Sequence, residues 1–201
     1  MNHLIERIER DIESIKLNEV ENKDTLYDGK FITLTKGDYY LNNGKVISRE
    51  CISNKIGNGR AVCVFAVTSD NKILLVIQPR VVLLENKGVN IEIPAGYEEV
   101  GEDAIVAGIR ELKEETGYLP GNIVKLDSYH TSIGFSSEVI DLLFATDCKK
   151  VSNQNLDKDE IIVVEEVDLE EFEYLLNNNY MMDINTKMGY YRYKEYLKGG
   201  K

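Results

Sequence analysis

Residues Ala61-Val62-Cys63-Val64-Phe65-Ala66-Val67 form an unbroken apolar run, and no other stretch constrains the fold as much. Alternating apolar and polar residues mark a strand with one wet face, whereas a continuous run marks a strand covered on both faces. Asp70-Asn71 supplies a turn, and Lys72 to Gln78 returns with Ile73, Leu74, Leu75, Val76 and Ile77. Such strands need layers above and below them. A helical pattern fills 101–116, bounded by Gly117 and Pro120, and strand-like segments follow at 122–130, 138–146 and 161–167. Glu170 to Asn177 and Ile184 to Leu197 read as terminal helices. Strands with interleaved helices but few βαβ repeats predict an α/β fold with a mixed sheet between helical layers.

Ahead of this body lies a different pattern. Leu4, Ile5, Ile8, Ile12 and Ile15 recur at helical spacing, so residues 2–17 read as an amphipathic helix. Gly29 to Thr35, Tyr39-Tyr40-Leu41 and Lys45 to Ile52, with Asn42-Asn43-Gly44 as a turn, predict a small antiparallel meander over 25–53. Alone it is too small for a stable core. The glycine-containing stretch from Asn54 to Gly59 is the best linker, which divides the chain into 1–57 and 58–201.

Charge narrows the function. Among 201 residues, 24 basic and 35 acidic side chains leave a formal charge of −11. That field repels nucleic-acid backbones and anionic membranes, so neither is an expected partner. It also repels any phosphorylated small molecule unless cations are held where the phosphates sit. Residues 97–118 carry seven acids and two bases, and residues 159–173 carry eight acids and no base. The acidity is therefore two blocks on an otherwise nearly neutral chain. No apolar run approaches the roughly 20 residues of a membrane span, and the charged N-terminus does not resemble a secretion signal. Three widely spaced cysteines suggest neither a disulfide framework nor a zinc knuckle. A reducing cytoplasm is the expected compartment.

The chemistry concentrates in Ile93-Pro94-Ala95-Gly96-Tyr97-Glu98-Glu99-Val100-Gly101-Glu102 and the helix ending Arg110-Glu111-Leu112-Lys113-Glu114-Glu115-Thr116-Gly117. On a helical wheel, Ile105, Ile109, Leu112 and Thr116 fall within roughly 60° and form the expected buried stripe. Glu111 and Glu115, one turn apart, share another face with Ala104 and Gly108, and Glu114 sits on the flank. Like-charged carboxylates at this spacing destabilise a bare helix. A divalent cation reverses the sign, since hard oxygen ligands suit Mg²⁺ or Mn²⁺. A solvated acidic helix face is the alternative reading of the same residues. Arg110, four residues before Glu114, is placed to pair with it.

The spacing Gly96, five residues, Glu102, seven residues, Arg110-Glu111-Leu112-x-Glu114-Glu115-x-Gly117 matches the Nudix box at every charged and glycine position, with Tyr118 at its last apolar position. The chain thus resembles the Nudix hydrolases, which cleave nucleoside diphosphates linked to another moiety using divalent metal. The resemblance implies an α/β/α sandwich around a mixed sheet. It implies Glu111 and Glu115 as main Mg²⁺ ligands, with Glu114, Glu99 and the Ala95 carbonyl as further ligands. Glu114 and Glu115 would be catalytic, and Arg110 would act with them by orienting the glutamates. Gly96 lets the substrate loop turn tightly.

Three further segments resemble the ADP-ribose pyrophosphatase group of that family: Glu92-Ile93-Pro94-Ala95-Gly96, Gln78-Pro79-Arg80, and the N-terminal meander with Tyr27-Asp28-Gly29-Lys30-Phe31. By this resemblance Arg80 and Glu92 bind substrate, and the small sheet exchanges across a homodimer to help form the pocket. Ser132-Ile133-Gly134-Phe135-Ser136-Ser137-Glu138 resembles the group's S-P-G-[FY]-x-x-E loop, which would put Gly134 at the substrate and Glu138 at the attacking water. Ile133 departs from that pattern, standing where the group has proline. An exposed loop carboxylate is the plain alternative for Glu138, and a surface ion pair for Arg80. The implied reaction is metal-dependent hydrolysis of ADP-ribose or a related nucleoside diphosphate sugar, or of another nucleoside diphosphate derivative. A nucleotide sensor without catalysis is the alternative from another class.

Overall fold

A computed structural model describes residues 2–199. In chain order it contains α1 (Asn2–Ile15), β1 (Leu17–Asp28), β2 (Ile32–Leu41), β3 (Val46–Asn54), β4 (Arg60–Thr68), β5 (Ile73–Pro79), β6 (Val89–Glu92) and β7 (Ala95–Tyr97). There follow α2 (Ala104–Thr116), β8 (Tyr118–Leu119), β9 (Asn122–His130), β10 (Val139–Lys150), β11 (Val163–Val167), α3 (Leu169–Asn177) and α4 (Ile184–Leu197). Short 3-10 turns occupy Gly57–Gly59 and Val81–Asn86. The chain forms two compact units: one runs to Lys55 and takes in Ser132–Glu138, and the other comprises Ile56–Thr131 and the chain from Val139 onward.

In the first unit, β1, β2 and β3 make an antiparallel sheet in that order. It begins at Leu17 rather than near residue 25. The Asn18 to Asp24 stretch is polar and carries only one β-branched residue, so propensity hides a strand that pairing with β2 creates. Register shifts within this pairing mark bulges, and Asn22 adopts a positive φ of 48°. The Ser132–Glu138 segment joins the sheet edge, where Ile52 N donates to Phe135 O at 2.7 Å.

The second unit is built on the apolar run. Val62, Val64 and Ala66 of β4 pack with Ala107 and Leu112 of α2, while Cys63 and Phe65 point the other way into a core with Phe172 of α3 and Tyr193 of α4. The Phe65 ring stacks on Tyr193 at 4.7 Å and meets Phe172 edge-on at 5.5 Å. The sheet order is β11-β5-β4-β10-β8, with β6 on β5, β7 on β4 and β9 on β10. β4 and β10 run parallel and the remaining pairs antiparallel. This is the α/β/α sandwich with a mixed sheet that the sequence predicts.

α2 departs from expectation at its start and on its buried face. It begins at Ala104, because Gly101 takes a φ of 84° that no right-handed helix admits. Asp103 caps it, accepting from Ile105 N at 2.8 Å, and Gly117 closes it with a φ of 80°. Ala107, Gly108, Leu112, Glu115 and Thr116 are its buried residues, whereas Ile105 and Ile109 lie only half-buried. The cause is size. A Cβ on Gly108 would meet Leu143 Cδ1 at 2.1 Å, so the small residues bring the helix closest to the sheet and carry the glutamate face inward with them.

Candidate active site

Two positions without side chains create the site. Gly108 lets α2 settle onto β10, and Gly96 lets β7 pass over the helix, since a Cβ there would lie 2.1 Å from the Glu111 carboxyl carbon. β7 pairs antiparallel with the start of β4, and this fixes the loop that follows. Beyond it Glu98 is buried against Arg60, whose Nε donates to Glu98 Oε2 at 3.2 Å and whose Nη2 donates to Asp141 Oδ2 at 2.5 Å.

Arg110 ties this loop to α2 with all five of its N–H groups. Nε and Nη2 donate to Glu102 Oε1 and Oε2 at 3.0 and 2.8 Å, and Nη2 also donates to the Tyr97 carbonyl at 2.9 Å. Nη1 donates to Glu111 Oε1 at 2.7 Å and to Glu114 Oε2 at 3.1 Å. The Arg110 side chain holds the Glu102 carboxyl below the usual carboxylate range. A guanidinium consumed in this way positions its neighbours. Glu99 is exposed at the loop, its N–H donating to Glu102 Oε2 at 2.9 Å.

Glu115 stands apart from this clamp. Only 3% exposed, it accepts one hydrogen bond from Ala95 N at 3.0 Å. Burial pushes its carboxyl well above the ordinary range, the Ala95 N–H opposes that push, and the charges of Glu111, Glu160 and Glu92 reinforce it. Glu111 is raised too, first by burial, with Arg110 lowering it and Glu114 and Glu160 raising it. Arg80, after β5, donates from Nε to Glu92 Oε1 at 2.8 Å and from Nη2 to Glu92 Oε2 at 2.9 Å. This fork raises the guanidinium first, burial opposes it, and the Glu115 charge adds to the raising. Glu111, Glu115, Glu92, Arg80 and Glu160 therefore share one electrostatic neighbourhood.

Of the residues singled out in the sequence, the structure brings together Ala95, Gly96, Arg110, Glu111, Glu114, Glu115, Arg80 and Glu92. Gly134 and Glu138 lie in the first unit, where Glu138 N donates to Ser136 Oγ at 3.2 Å. After β10 the chain runs as a loop laid along α2, where Gln154 Nε2 donates to the Glu115 carbonyl at 2.6 Å and to Ile162 O at 3.1 Å, and Asn155 N donates to Glu114 O at 2.8 Å. The same loop carries Glu160, which is exposed and whose Oε2 accepts from Asp157 N at 3.0 Å. In the sequence it is one acid within the 159–173 block, with no spacing to distinguish it.

Among the described residues, no three aspartate, glutamate, histidine or cysteine side chains are already gathered as a metal cage. The donor chemistry nevertheless fits a hard divalent cation. Glu111 and Glu115 are desolvated carboxylates whose neighbours add negative charge, and they would be relieved by a cation with oxygen preference.

With this geometry established, comparison with known proteins gives the class. The family model of the NUDIX domain matches residues 57–184, and the chain belongs to that family. It is similar to an ADP-ribose pyrophosphatase of Bacillus subtilis, 35% identical over 89% of this chain and 95% of that protein. A methanol dehydrogenase activator of Bacillus methanolicus is 36% identical over 87% of this chain and 92% of its own length. The fold matches the crystal structure of an ADP compounds hydrolase with a TM-score of 0.77, at 22% identity, covering 92% of this chain and 97% of that one.

Proposed function

We propose that the chain hydrolyses the diphosphate linkage of ADP-ribose or a related nucleoside diphosphate sugar, giving a nucleoside monophosphate and a sugar phosphate. The observation that carries this is the meeting of desolvated Glu111 and Glu115 with the Arg80–Glu92 fork in one site. Mg²⁺, or Mn²⁺ in its place, would be held by Glu111, Glu115 and Glu114, with Glu99 and the Ala95 carbonyl as further ligands. Bound there, the cation supplies charge neutralisation for the diphosphate and acidity for a coordinated water.

The chain's own residues do the rest. Arg80, oriented by Glu92, binds a phosphate or the terminal ribose, and Gly96 lets the substrate approach the backbone. Arg110 holds Glu102, Glu111 and Glu114 in register. Water attacks one phosphorus in line, the bond from that phosphorus to the bridging oxygen breaks, and the water proton passes to a carboxylate. The acceptor is assigned to Glu138, with Glu160, whose charge raises both Glu111 and Glu115, as the alternative. Glu138 and Gly134 are assigned to a loop that closes on substrate. The first unit is assigned to homodimerisation and to completing the pocket. Free thiols at Cys51, Cys63 and Cys148 agree with a cytoplasmic location.

A panel of nucleoside diphosphate derivatives with and without Mg²⁺, with products identified by mass, tests the proposal. Turnover of ADP-ribose to a monophosphate and a sugar phosphate supports it, and no metal-dependent turnover of any diphosphate refutes it. The Bacillus methanolicus relative, named for activating another enzyme, favours a second reading in which the chain regulates a partner enzyme. Calorimetric binding of a nucleotide without hydrolysis would select that reading.

A further inference from the structure

Between Glu92 and Ala95 the chain crosses from one strand to another. Glu92 ends β6, opposite Val76 of β5, and Ala95 begins β7, opposite Cys63 of β4. Ile93 and Pro94 belong to neither pairing. A buried N–H at such a crossing needs a partner from elsewhere, and proline has none to satisfy. Ile93 is buried, and its N–H donates to Thr186 Oγ1 of α4 at 3.1 Å. The Ala95 N–H goes to Glu115 of α2. One helix from each layer therefore holds the crossing. The first turn of α4 also bonds to β6 itself. Asp183, which caps α4, accepts from Thr186 N at 2.8 Å through Oδ1 and from Asn90 Nδ2 at 3.1 Å through Oδ2. Asn90 is buried two residues before Glu92. Glu92 is thus bracketed on both sides by bonds to α4.

We propose that Asp183 and Thr186 are positioning residues for the substrate, fixing the Glu92 carboxylate that aims Arg80. The proposal rests on Arg80 as the substrate group assigned above. Among the described strands β6 pairs with β5 alone, so its last residue lacks a second neighbouring strand, and α4 supplies the missing support. That support is firm. Thr186 is fully buried, and Tyr193 further along α4 stacks on Phe65 of β4. The fork it serves tolerates little displacement. Its two bonds measure 2.8 and 2.9 Å, so a shift of about 1 Å at Glu92 takes one of them beyond hydrogen-bond reach. Asp183 also meets Arg80 through space: Glu92 raises the guanidinium first, burial opposes this, and the charges of Glu115 and Asp183 add to the raising. Arg110 is held by Glu102, Glu111, Glu114 and the Tyr97 carbonyl, with no bond to α4, and so provides an internal control.

Hydrogen exchange of the Arg80 Nε–H, followed by NMR and assigned by its loss in Arg80→Lys, tests this on the full-length chain. Thr186→Val keeps the shape and removes the acceptor. It should speed that exchange by roughly tenfold, the equivalent of one lost hydrogen bond, while the Arg110 Nε–H keeps its parent rate. Thr186→Ser retains the hydroxyl and should restore the parent rate at Arg80. An unchanged Arg80 rate, or equal acceleration at both arginines, overturns the proposal. If Thr186→Val does not fold, Asp183→Ser keeps a capping oxygen for α4 and removes the one that meets Asn90, and it is held to the same outcomes. With ADP-ribose as substrate, Thr186→Val should raise KM roughly tenfold with kcat within about twofold of the parent. A KM raised by Arg80→Lys but not by Thr186→Val overturns the positioning role. A KM unmoved by Arg80→Lys instead removes Arg80 from substrate binding, so the functional reading fails, and the exchange rates alone decide whether α4 fixes the fork.

Discussion

The two acidic blocks differ in what their carboxylates are allowed to do. In residues 97–118, Arg110 gathers Glu102, Glu111 and Glu114, while burial strips water from Glu115 and Glu111. In residues 159–173, at least half of the eight acids are consumed by local structure. Asp168 and Glu171 form a reciprocal capping box on α3, Glu173 accepts from Tyr190 at 2.6 Å and Lys194 at 3.1 Å, and Glu166 accepts from Tyr118 at 2.5 Å. Glu160 is held in the same local way, its Oε2 accepting from Asp157 N at 3.0 Å, although its charge also raises Glu111 and Glu115. Net charge is therefore a poor guide to which block binds a cation. Desolvation without full compensation is a better one.

The sharpest way to break this contrast is Glu115→Gln. Turnover should fall by roughly 10³-fold or more if Glu115 is the metal ligand proposed above, since the cation would stabilise transition-state charge. The metal-free protein should nevertheless gain stability. Glu115 has a folded-state pKa above its unfolded value, so the native state binds the extra proton. Stability without metal should then fall as pH rises above about 4.5, until the raised folded value is passed. Glu102 and Asp141, both lowered, act in the opposite sense: their stabilisation is present above about 4.5 and 3.8 respectively and is lost as pH falls through their folded values. Thermal melts in chelator at several pH values should show the Glu115→Gln slope flattened, and an unchanged slope would remove Glu115 from the account.

Next in size is Glu160→Gln. If Glu160 rather than Glu138 accepts the proton, it should lower kcat by about 10²-fold while leaving Mg²⁺ affinity within a few-fold of the parent. A rate equal to that of the parent would return Glu160 to the solvated block and leave Glu138 as the acceptor. Arg110→Lys should weaken Mg²⁺ binding by about 10- to 100-fold. A single ammonium cannot reproduce five directed bonds. Metal titration followed by fluorescence or calorimetry separates this effect from a loss of rate.

What the sequence made legible follows from how local each feature is. The shared helix face of Glu111 and Glu115 and the nearness of Arg110 to Glu114 follow from helix spacing alone, whereas Gly96, expected to serve a tight turn, instead makes room for the Glu111 carboxyl. The α/β/α layering was readable from one continuous apolar run, since only burial on both faces tolerates it. Three things were hidden. Of the expected stripe on α2, Leu112 and Thr116 are buried, but Ile105 and Ile109 give way to Gly108 and Ala107, which allow the nearer approach. The start of β1 lay in a polar segment that only its partner strand makes extended. The loop that carries Glu160 lies along the end of α2 through the Gln154 and Asn155 bonds, and no periodicity encodes that path.

The smallest predicted effect concerns the one residue that departs from the Nudix box. Tyr118 stands where the box has an aliphatic residue, and its hydroxyl donates to Glu166 of β11 while Lys150 lies 5.8 Å from its ring centre. Burial raises the Tyr118 phenol to about 12, with Glu166 adding to the shift, so the donor stays protonated through the working pH range. The hydroxyl therefore links the end of the catalytic helix to the second acidic block, the link an aliphatic residue would lack. Tyr118→Phe removes one hydrogen bond to a charged acceptor and keeps the ring, so it should cost about 1–2 kcal/mol of stability in denaturant melts. Because β11 hangs from the loop that carries Glu160, any change in rate should appear in kcat rather than in Mg²⁺ affinity. If neither stability nor kcat moves, the two blocks are joined by the Gln154 and Asn155 bonds alone.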